Sequence, residues 1–261
     1  MKKKTLIGLL VLILAISIFA LIRIVSQSQS ENQQFEILQN QIYLADESQE
    51  AINTVSRIVV ESETQKSPTM LSKYAELYKL NSDIVGWIKI ENTNINYPVM
   101  QTVDDEEFYL NRDFTKEYSL SGTPFLSADS TLEDSCGQLI IYGHNMKNDT
   151  MFSDLLLYKS QDFWEENKII DLDTLYMEQS YEIFAVFSVD VQVDNGHFPF
   201  YHYTDFDSVE EFECFIEEIL SLAFYSTDST PSYDDSLLTL ITCDGYIGSG
   251  RFVVMAKLVS E

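Results

Sequence analysis

The sequence predicts a mostly β domain, either a closed barrel or a sandwich, preceded by helices. About eight short runs of β-type composition lie between residues 85 and 259, separated by turn residues. One helical pattern interrupts them over residues 205–224, with an apolar stripe at Val209, Phe212, Phe215, Ile216 and Ile219. The predicted strands are VGWIKI, INYPVMQ, TPFLSA, QLIIYGH, KIIDLDT, QSYEIFAVFSVDV, LLTLITC and RFVVMAKLV.

The N-terminus carries the pattern of a membrane anchor. Lys2, Lys3 and Lys4 precede an uncharged stretch, TLIGLLVLILAISIFALI, and Arg23 follows it. A helix of this length spans about 27 Å, close to the thickness of the hydrocarbon layer. Because the lysines should stay in the cytoplasm, we expect residues 1–25 to form a cytoplasmic Lys tail and a single-pass transmembrane signal-anchor, with the rest outside the cell. A cleaved signal peptide is the alternative, although the apolar run is longer than usual and no A-x-A-like site follows it.

The part of the chain beyond this anchor is strongly acidic. It keeps twelve of the 16 basic residues and all 42 acidic residues, a net charge of −30 against −26 for the whole chain. Such a surface argues against nucleic acid as a partner and against close docking on anionic lipid, because both carry charge of the same sign.

Residues 26–68 are predicted to form a polar, helical stalk or a helix packed on the domain. Apolar residues recur there at helical spacings, and Pro68 ends the pattern. A second helix is predicted from about Met70 to Leu80. The remaining domain is therefore expected to span residues 69–261.

The three cysteines, Cys136, Cys214 and Cys243, are an odd number, so at least one thiol stays unpaired. Cys214 falls in the pattern of the long helix and is predicted to be a small buried hydrophobic residue.

Cys243 ends one apolar strand and Arg251 begins the next, so a hairpin would place the thiol beside the guanidinium. Nearby positive charge favours a thiolate, and a fixed donor stabilises an oxyanion, so this pair suits cysteine acyl chemistry. The sequence has no CxxC or HxxxH motif, and it predicts neither a metal nor a cofactor.

Cysteine acyl chemistry also needs a proton carrier, and the chain offers three histidines. His197 and His202 lie in an aromatic loop segment, where a surface or packing role is the default. His144 is the last residue of the predicted strand QLIIYGH, as Cys243 is the last residue of its own predicted strand. An imidazole titrates at about pH 6.5 and can both give and take the required protons.

Taken together, these residues resemble the signature of a known family. The segment YGHNM at 142–146, the segment TLITC at 239–243 and Arg251 are similar to the signature of the bacterial sortases. Sortases are membrane-anchored cysteine transpeptidases that attach proteins to the cell wall. Over about residues 70–259 the resemblance is to class B, with further matches in GWIKIENTNINYPVMQ, YLNRDF and SLSGTPFLSADS.

The resemblance implies a closed eight-stranded sortase-type β-barrel with N-terminal helices and one long helix inserted between two late strands. It implies that Cys243 is the nucleophile, His144 the general acid and base, and Arg251 the clamp for the oxyanion or the substrate backbone. The enzyme would cleave a C-terminal sorting signal, similar to Asn-Pro-x-Thr in class B substrates, after Thr. A thioester on Cys243 would then pass the surface protein to an amine of a peptidoglycan precursor.

Leu110, Tyr142 and Asp244 are the predicted substrate-binding residues, with plain packing as the alternative for the first two. Two positions depart from the class B pattern, Ile241 where Ser is frequent and Glu106 where Asn is frequent, and both bear on peptide specificity. A hydrolytic cysteine peptidase and a catalytically silent surface-binding module are the alternative functions. Protein anchoring and pilin assembly are both compatible with the sequence.

Overall fold

The structure is a computed structural model that describes residues 2–56, 69–131, 137–192, 198–244 and 249–259. Cys136, His197 and residues 57–68 of the predicted stalk lie outside these ranges. The helices are α1 (Lys2–Ser56), α2 (Ser72–Leu80), α3 (Gln161–Glu166) and α4 (Val209–Leu222). The strands are β1 (Ile84–Lys89), β2 (Asn96–Met100), β3 (Phe125–Leu126), β4 (Gln138–Tyr142), β5 (Ile169–Thr174), β6 (Ser180–Asp190), β7 (Leu237–Cys243) and β8 (Gly250–Leu258).

The eight strands close into a barrel in the order β1-β2-β3-β4-β7-β8-β6-β5, which confirms the predicted fold class. Each of the eight runs predicted from the sequence overlaps one of these strands. The β2–β3 and β4–β7 pairs are parallel, and the other neighbouring pairs are antiparallel. Closure leaves the barrel with no free edge strand.

Successive residues of the late strands belong to two separate apolar clusters. In β7, Leu238 and Leu240 join the larger cluster, and Leu237 and Ile241 join the smaller one. Because neighbouring side chains of a strand point to opposite faces, the two clusters lie on the two sides of the barrel wall. The smaller cluster contains the buried residues of α4 and therefore lies on the outer face.

Helix α4 lies between β6 and β7 in the chain and packs on this outer face. Its first turn is capped by Ser208, whose Oγ accepts a hydrogen bond from the Glu211 amide at 3.2 Å. The prediction that Cys214 is buried is wrong, because its side chain is exposed. At 100° per residue, Cys214 lies about 200° around the helix from buried Phe212 and so points to solvent. Val209, which the sequence placed in the apolar stripe, is also exposed.

Helix α1 is continuous where the sequence predicted an anchor followed by a stalk or a packed helix. It includes a stretch that is long and apolar enough to cross a membrane, and the apolar side chains of that stretch are exposed. Farther along the helix, Phe35 and Leu38 are buried in the larger cluster. The ring of Phe35 meets that of Tyr97 edge-on, with centroids 5.2 Å apart. Helix α1 is therefore packed on the barrel at Phe35 and Leu38.

Candidate active site

Cys243 and Arg251 lie opposite each other on the last two strands. They are register partners in the antiparallel β7–β8 pair. Cys243 follows the outward-facing Ile241 by two residues, and Arg251 precedes the outward-facing Val253 by two, so both point to the outer face. The Cys243 side chain is exposed. Arg251 is partly buried, and its Nη1 donates to the carbonyl oxygen of Gly250 at 3.1 Å.

Strand β4 brings His144 to the same end of the barrel. β4 runs parallel to β7, with Tyr142 paired to Ile241. His144 and Cys243 each lie two residues beyond this pair, at the carboxyl ends of neighbouring strands. The parallel ladder continues past β4, because the amide of Gly143 donates to the carbonyl oxygen of Ile241 at 3.1 Å. The three predicted catalytic residues therefore share one end of the adjacent strands β4, β7 and β8.

The imidazole of His144 is held by the backbone of Leu110. The distance from Nε2 to the Leu110 carbonyl oxygen is 2.8 Å. Because a carbonyl oxygen can only accept, this hydrogen bond assigns the Nε2 proton. In the neutral ring the Nδ1 atom then holds the lone pair, and Nδ1 is the atom that can exchange protons with a substrate.

Two glycines allow the backbone around His144 to pack this closely. Gly122 has a φ of +60°, and a Cβ there would lie 2.4 Å from the Leu110 carbonyl oxygen. A Cβ at Gly143 would lie 2.6 Å from ring atoms of Phe152. The amide of Phe152 in turn donates to the carbonyl oxygen of His144 at 2.9 Å. A side chain at either glycine would therefore displace the backbone that carries or orients the imidazole.

Asn145 links the histidine loop to the cysteine strand. Its Nδ2 atom donates to the carbonyl oxygen of Cys243 at 2.8 Å. This contact joins residues 98 positions apart and fixes the backbone of Cys243, the residue that carries the thiol. The sequence reasoning assigned Asn145 no role, although it lies within the YGHNM segment, and its place next to His144 was the available signal.

Asp244 contacts a cation that the sequence analysis did not identify. Lys159 Nζ lies 2.6 Å from Asp244 Oδ1, and the Asp244 side chain is 17 % exposed. The Asp244 amide also donates to the carbonyl oxygen of Gly250 at 3.1 Å, at the open end of the β7–β8 pair. The carboxylate therefore ties the residue that follows Cys243 to Lys159, and its contact with a substrate stays a prediction.

Tyr142 lies between the two apolar clusters, close to Arg251. Its ring stacks on Phe125 with centroids 5.4 Å apart. Burial, followed by the negative charge of Glu106 and by Tyr201, raises the pKa of Tyr142 to about 12, and the positive charge of Arg251 acts in the opposite direction. Glu106, noted from the sequence as a departure, thus acts electrostatically on the site.

Leu110 is the remaining predicted substrate contact. Its side chain is partly buried and packs against the larger cluster, and its carbonyl group holds His144. Substrate roles for Leu110 and Tyr142 therefore stay predictions. Among the residues that the structure describes, no group of three His, Cys, Asp or Glu side chains is placed to hold a metal ion.

Comparison with known proteins identifies the family. The family model of the sortase domain matches residues 88–259. The chain is 34 % identical over 205 residues to sortase B of Staphylococcus aureus, covering 75 % of this chain and 81 % of that protein. It is 32 % identical over 188 residues to sortase B of Listeria monocytogenes, covering 71 % and 74 % respectively. A solved Staphylococcus aureus sortase B–substrate complex superposes with a TM-score of 0.72 at 27 % identity, covering 90 % of this chain and 99 % of that chain.

The barrel, the site and these matches together show that the chain belongs to the sortase family. The relatives and the solved structure to which it is similar are all sortase B proteins. The protein is accordingly a class B sortase, a cysteine transpeptidase.

Proposed function

We propose that this sortase is anchored in the membrane and that Cys243, His144 and Arg251 carry its reaction. One observation carries the proposal: the exposed Cys243 lies directly across the β7–β8 pair from Arg251, at the strand ends that also bear His144. A nucleophile, a proton carrier and a fixed cationic donor are what acyl transfer through a cysteine requires.

In the first half-reaction, the Cys243 thiolate attacks the carbonyl carbon of Thr in an Asn-Pro-x-Thr sorting signal. Negative charge develops on the carbonyl oxygen, and Arg251 donates hydrogen bonds to it from a guanidinium that cannot lose its charge. Nδ1 of His144 has taken the proton of the Cys243 thiol and gives it to the leaving amine, the C–N bond breaks, and a thioester remains on Cys243.

In the second half-reaction, an amine of a peptidoglycan precursor attacks the thioester carbon. Nδ1 of His144 takes a proton from this amine, the C–S bond breaks, and the Cys243 thiolate returns. The product is an amide that joins the surface protein to the wall precursor. Leu110, Tyr142 and Asp244 are proposed to contact the sorting peptide.

The proposed topology follows from α1. Residues 1–25 serve as the Lys tail and the membrane anchor, with the N-terminus in the cytoplasm. Residues 26–68 form the stalk that connects the anchor to the catalytic domain. Residues 69–261 form that domain, outside the cell. The apolar stretch of α1 and the lysines before it support this orientation.

The test uses the full chain in detergent micelles with a quenched Asn-Pro-x-Thr peptide and hydroxylamine. We expect a hydroxamate product that is lost in Cys243→Ala and kept in Cys214→Ala, a matched control because Cys214 is also exposed. Cleavage that does not respond to hydroxylamine would support the hydrolytic peptidase instead. The absence of any thioester adduct would support the silent binding module.

A further inference from the structure

Helix α1 contacts the barrel through a buried glutamate, Glu31. Its carboxylate accepts hydrogen bonds from the Ser121 hydroxyl group and, at 3.3 Å, from the Leu120 amide. Within the helix, Gln27 Nε2 donates to the same carboxylate at 3.0 Å. Burying a carboxylate is costly even when hydrogen bonds replace its water. Adhesion of the helix does not require this cost, because the buried ring of Phe35 already packs on the barrel.

The segment from Ser119 to Thr123, which carries the two donors from the barrel, is bonded to the chain on both sides of Leu110. The amide of Ser119 donates to the carbonyl oxygen of Asn111 at 3.1 Å. The amide of Thr123 donates to the carbonyl oxygen of Tyr109 at 3.0 Å. The segment therefore fixes the backbone on either side of the Leu110 carbonyl group.

Within this segment, two neighbouring residues connect Glu31 to the imidazole. Ser121, whose hydroxyl group donates to Glu31, directly precedes Gly122 in the chain. Gly122 packs against the carbonyl group of Leu110, and the oxygen of that group accepts a hydrogen bond from Nε2 of His144 at 2.8 Å. An unbroken series of contacts thus leads from helix α1 to the proposed proton carrier.

Helix α1 also contacts the loop that follows His144. Asn148 Nδ2 donates to Ser28 Oγ at 3.0 Å, about one helical turn earlier in α1. The same loop begins with Asn145, whose Nδ2 atom donates to the carbonyl oxygen of Cys243. The helix therefore contacts both the segment that supports the partner of the imidazole and the loop that follows the imidazole.

We propose that Glu31 is a positioning residue for the transpeptidase reaction and that it acts on His144 through Leu110. The docked helix keeps the Leu110 carbonyl group where it accepts the Nε2 proton, so that Nδ1 stays free to exchange protons with the peptide and with the amine. Helix α1 is thereby part of the support of the active site as well as the proposed anchor. This inference rests on the proposed function, because it requires His144 to be the proton carrier.

The test compares Glu31→Ala, Ser121→Ala and the double variant, each as the full chain in detergent micelles. All three lose the hydrogen bond between Glu31 and Ser121. We expect kcat for peptide cleavage to fall about tenfold with KM nearly unchanged, because proton transfer depends on the orientation of the imidazole. The double variant should fall no further than Glu31→Ala, because the two residues act as one unit. Glu31→Gln keeps an acceptor oxygen and should restore part of the loss.

A spectroscopic measurement separates positioning from a general loss of packing. In the full chain with isotopically labelled histidine, the Nε2–H signal of His144 is assigned by its loss in His144→Gln. This proton should exchange with water about tenfold faster in Glu31→Ala than in the parent. Gln39→Ala is the matched control, because Gln39 Nε2 of the same helix donates to the carbonyl oxygen of Asn96 at 2.7 Å, outside the segment that supports Leu110. It should keep the parental kcat and the parental signal.

Two results would overturn the inference. The first is a parental Nε2–H signal in both Glu31→Ala and Ser121→Ala. The second is an equal fall of kcat in Gln39→Ala, which would show that any loss of helix packing has this effect. If Glu31→Ala does not fold, Ser121→Ala carries both measurements. If the signal changes while kcat stays parental, His144 does not carry the proton, and the proposed function fails although Glu31 still orients the imidazole.

Discussion

The carbonyl oxygen of Leu110 accepts a hydrogen bond from Nε2 of His144 at 2.8 Å. This contact ties the imidazole to the short 3₁₀ segment Glu106–Asn111 rather than to a carboxylate. The ring orientation therefore depends on where the Leu110 carbonyl group lies. Gly122 packs against this group, because a Cβ there would lie 2.4 Å from the Leu110 carbonyl oxygen.

We predict that Gly122→Ala lowers kcat/KM for peptide cleavage by about tenfold, because a Cβ would push the Leu110 carbonyl group away from Nε2. The matched control is Gly137→Ala at the other end of β4. Gly137 has a φ of 150°, and a Cβ there would lie 2.7 Å from the carbonyl oxygen of Thr204. Both variants should lower the melting temperature, but only Gly122→Ala should change the pH profile of kcat/KM. Equal profiles would contradict a positioning role for Leu110.

The contact between Asn145 and the Cys243 carbonyl group gives a second prediction. Asn145→Ala removes one hydrogen bond, worth about 1 kcal/mol, and should slow thioester formation modestly. Asn145→Asp places a negative charge next to the Cys243 carbonyl group and should slow thioester formation further, because like charges disfavour the ionised thiol. The measurement is the rate of alkylation by iodoacetamide as a function of pH. The midpoint of this pH profile should move to higher pH in Asn145→Asp and stay in place in Asn145→Ala. A midpoint that stays unchanged in both variants would show that the Asn145 side chain does not affect the thiol.

A third prediction concerns the Asp244–Lys159 ion pair. The pair is partly exposed, with side-chain exposures of 17 % and 43 %, so we expect a coupling of no more than about 1 kcal/mol. If Asp244 acts only through Lys159, then Asp244→Asn, Lys159→Met and the double variant should raise KM by the same small factor. If Asp244 also contacts the sorting peptide, KM should rise further in Asp244→Asn than in Lys159→Met. Steady-state kinetics at low and high salt separates the two outcomes.

The eight strands could be predicted because their cause is local. Runs rich in β-branched and aromatic residues, broken by turn residues, are typical of strands that are buried on both faces, as β7 is from Leu237 to Thr242. The place of Cys214 was predicted wrongly for a local reason as well. The apolar residues of α4 cluster on one face, and a cysteine two positions from Phe212 lies on the other.

From local patterns alone, contacts within the candidate site could be predicted only where the partners are close in the chain. His144 was assigned from its strand-end position and from the family resemblance. Cys243 and Arg251 belong to one hairpin, so their pairing follows from strand and loop lengths. Leu110 and His144 are 34 positions apart, and Lys159 and Asp244 are 85 apart. Nothing in the local pattern at either residue indicates such a partner, because the contact depends on how the strands close the barrel.

The Tyr142 hydroxyl group gives a prediction about alkaline pH. The pKa of Tyr142 is about 12 in the fold, against about 10 for an unfolded tyrosine, so the folded state holds this proton more tightly. The free energy of unfolding should therefore fall as the pH rises from about 10 to about 12, because the unfolded chain releases the proton first. Tyr142→Phe removes this contribution while keeping a ring to stack on Phe125. Denaturant unfolding at pH 9 and pH 11.5 should show a smaller loss of stability in the variant than in the parent.

The docking of α1 depends on Glu31, a residue only 7 % exposed whose carboxylate accepts hydrogen bonds from Ser121 and Leu120. Glu31→Ala leaves these two donors without their acceptor, at a cost of about 1–3 kcal/mol. Because the barrel has its own core, this cost should appear as local release of α1 rather than as global unfolding. Hydrogen exchange should then be at least about tenfold faster at the Leu120 amide, with little change in the strands. Glu36→Ala, at an exposed position of the same helix, should exchange like the parent; equally fast exchange in the two variants would mean that Glu31 does not fix the helix.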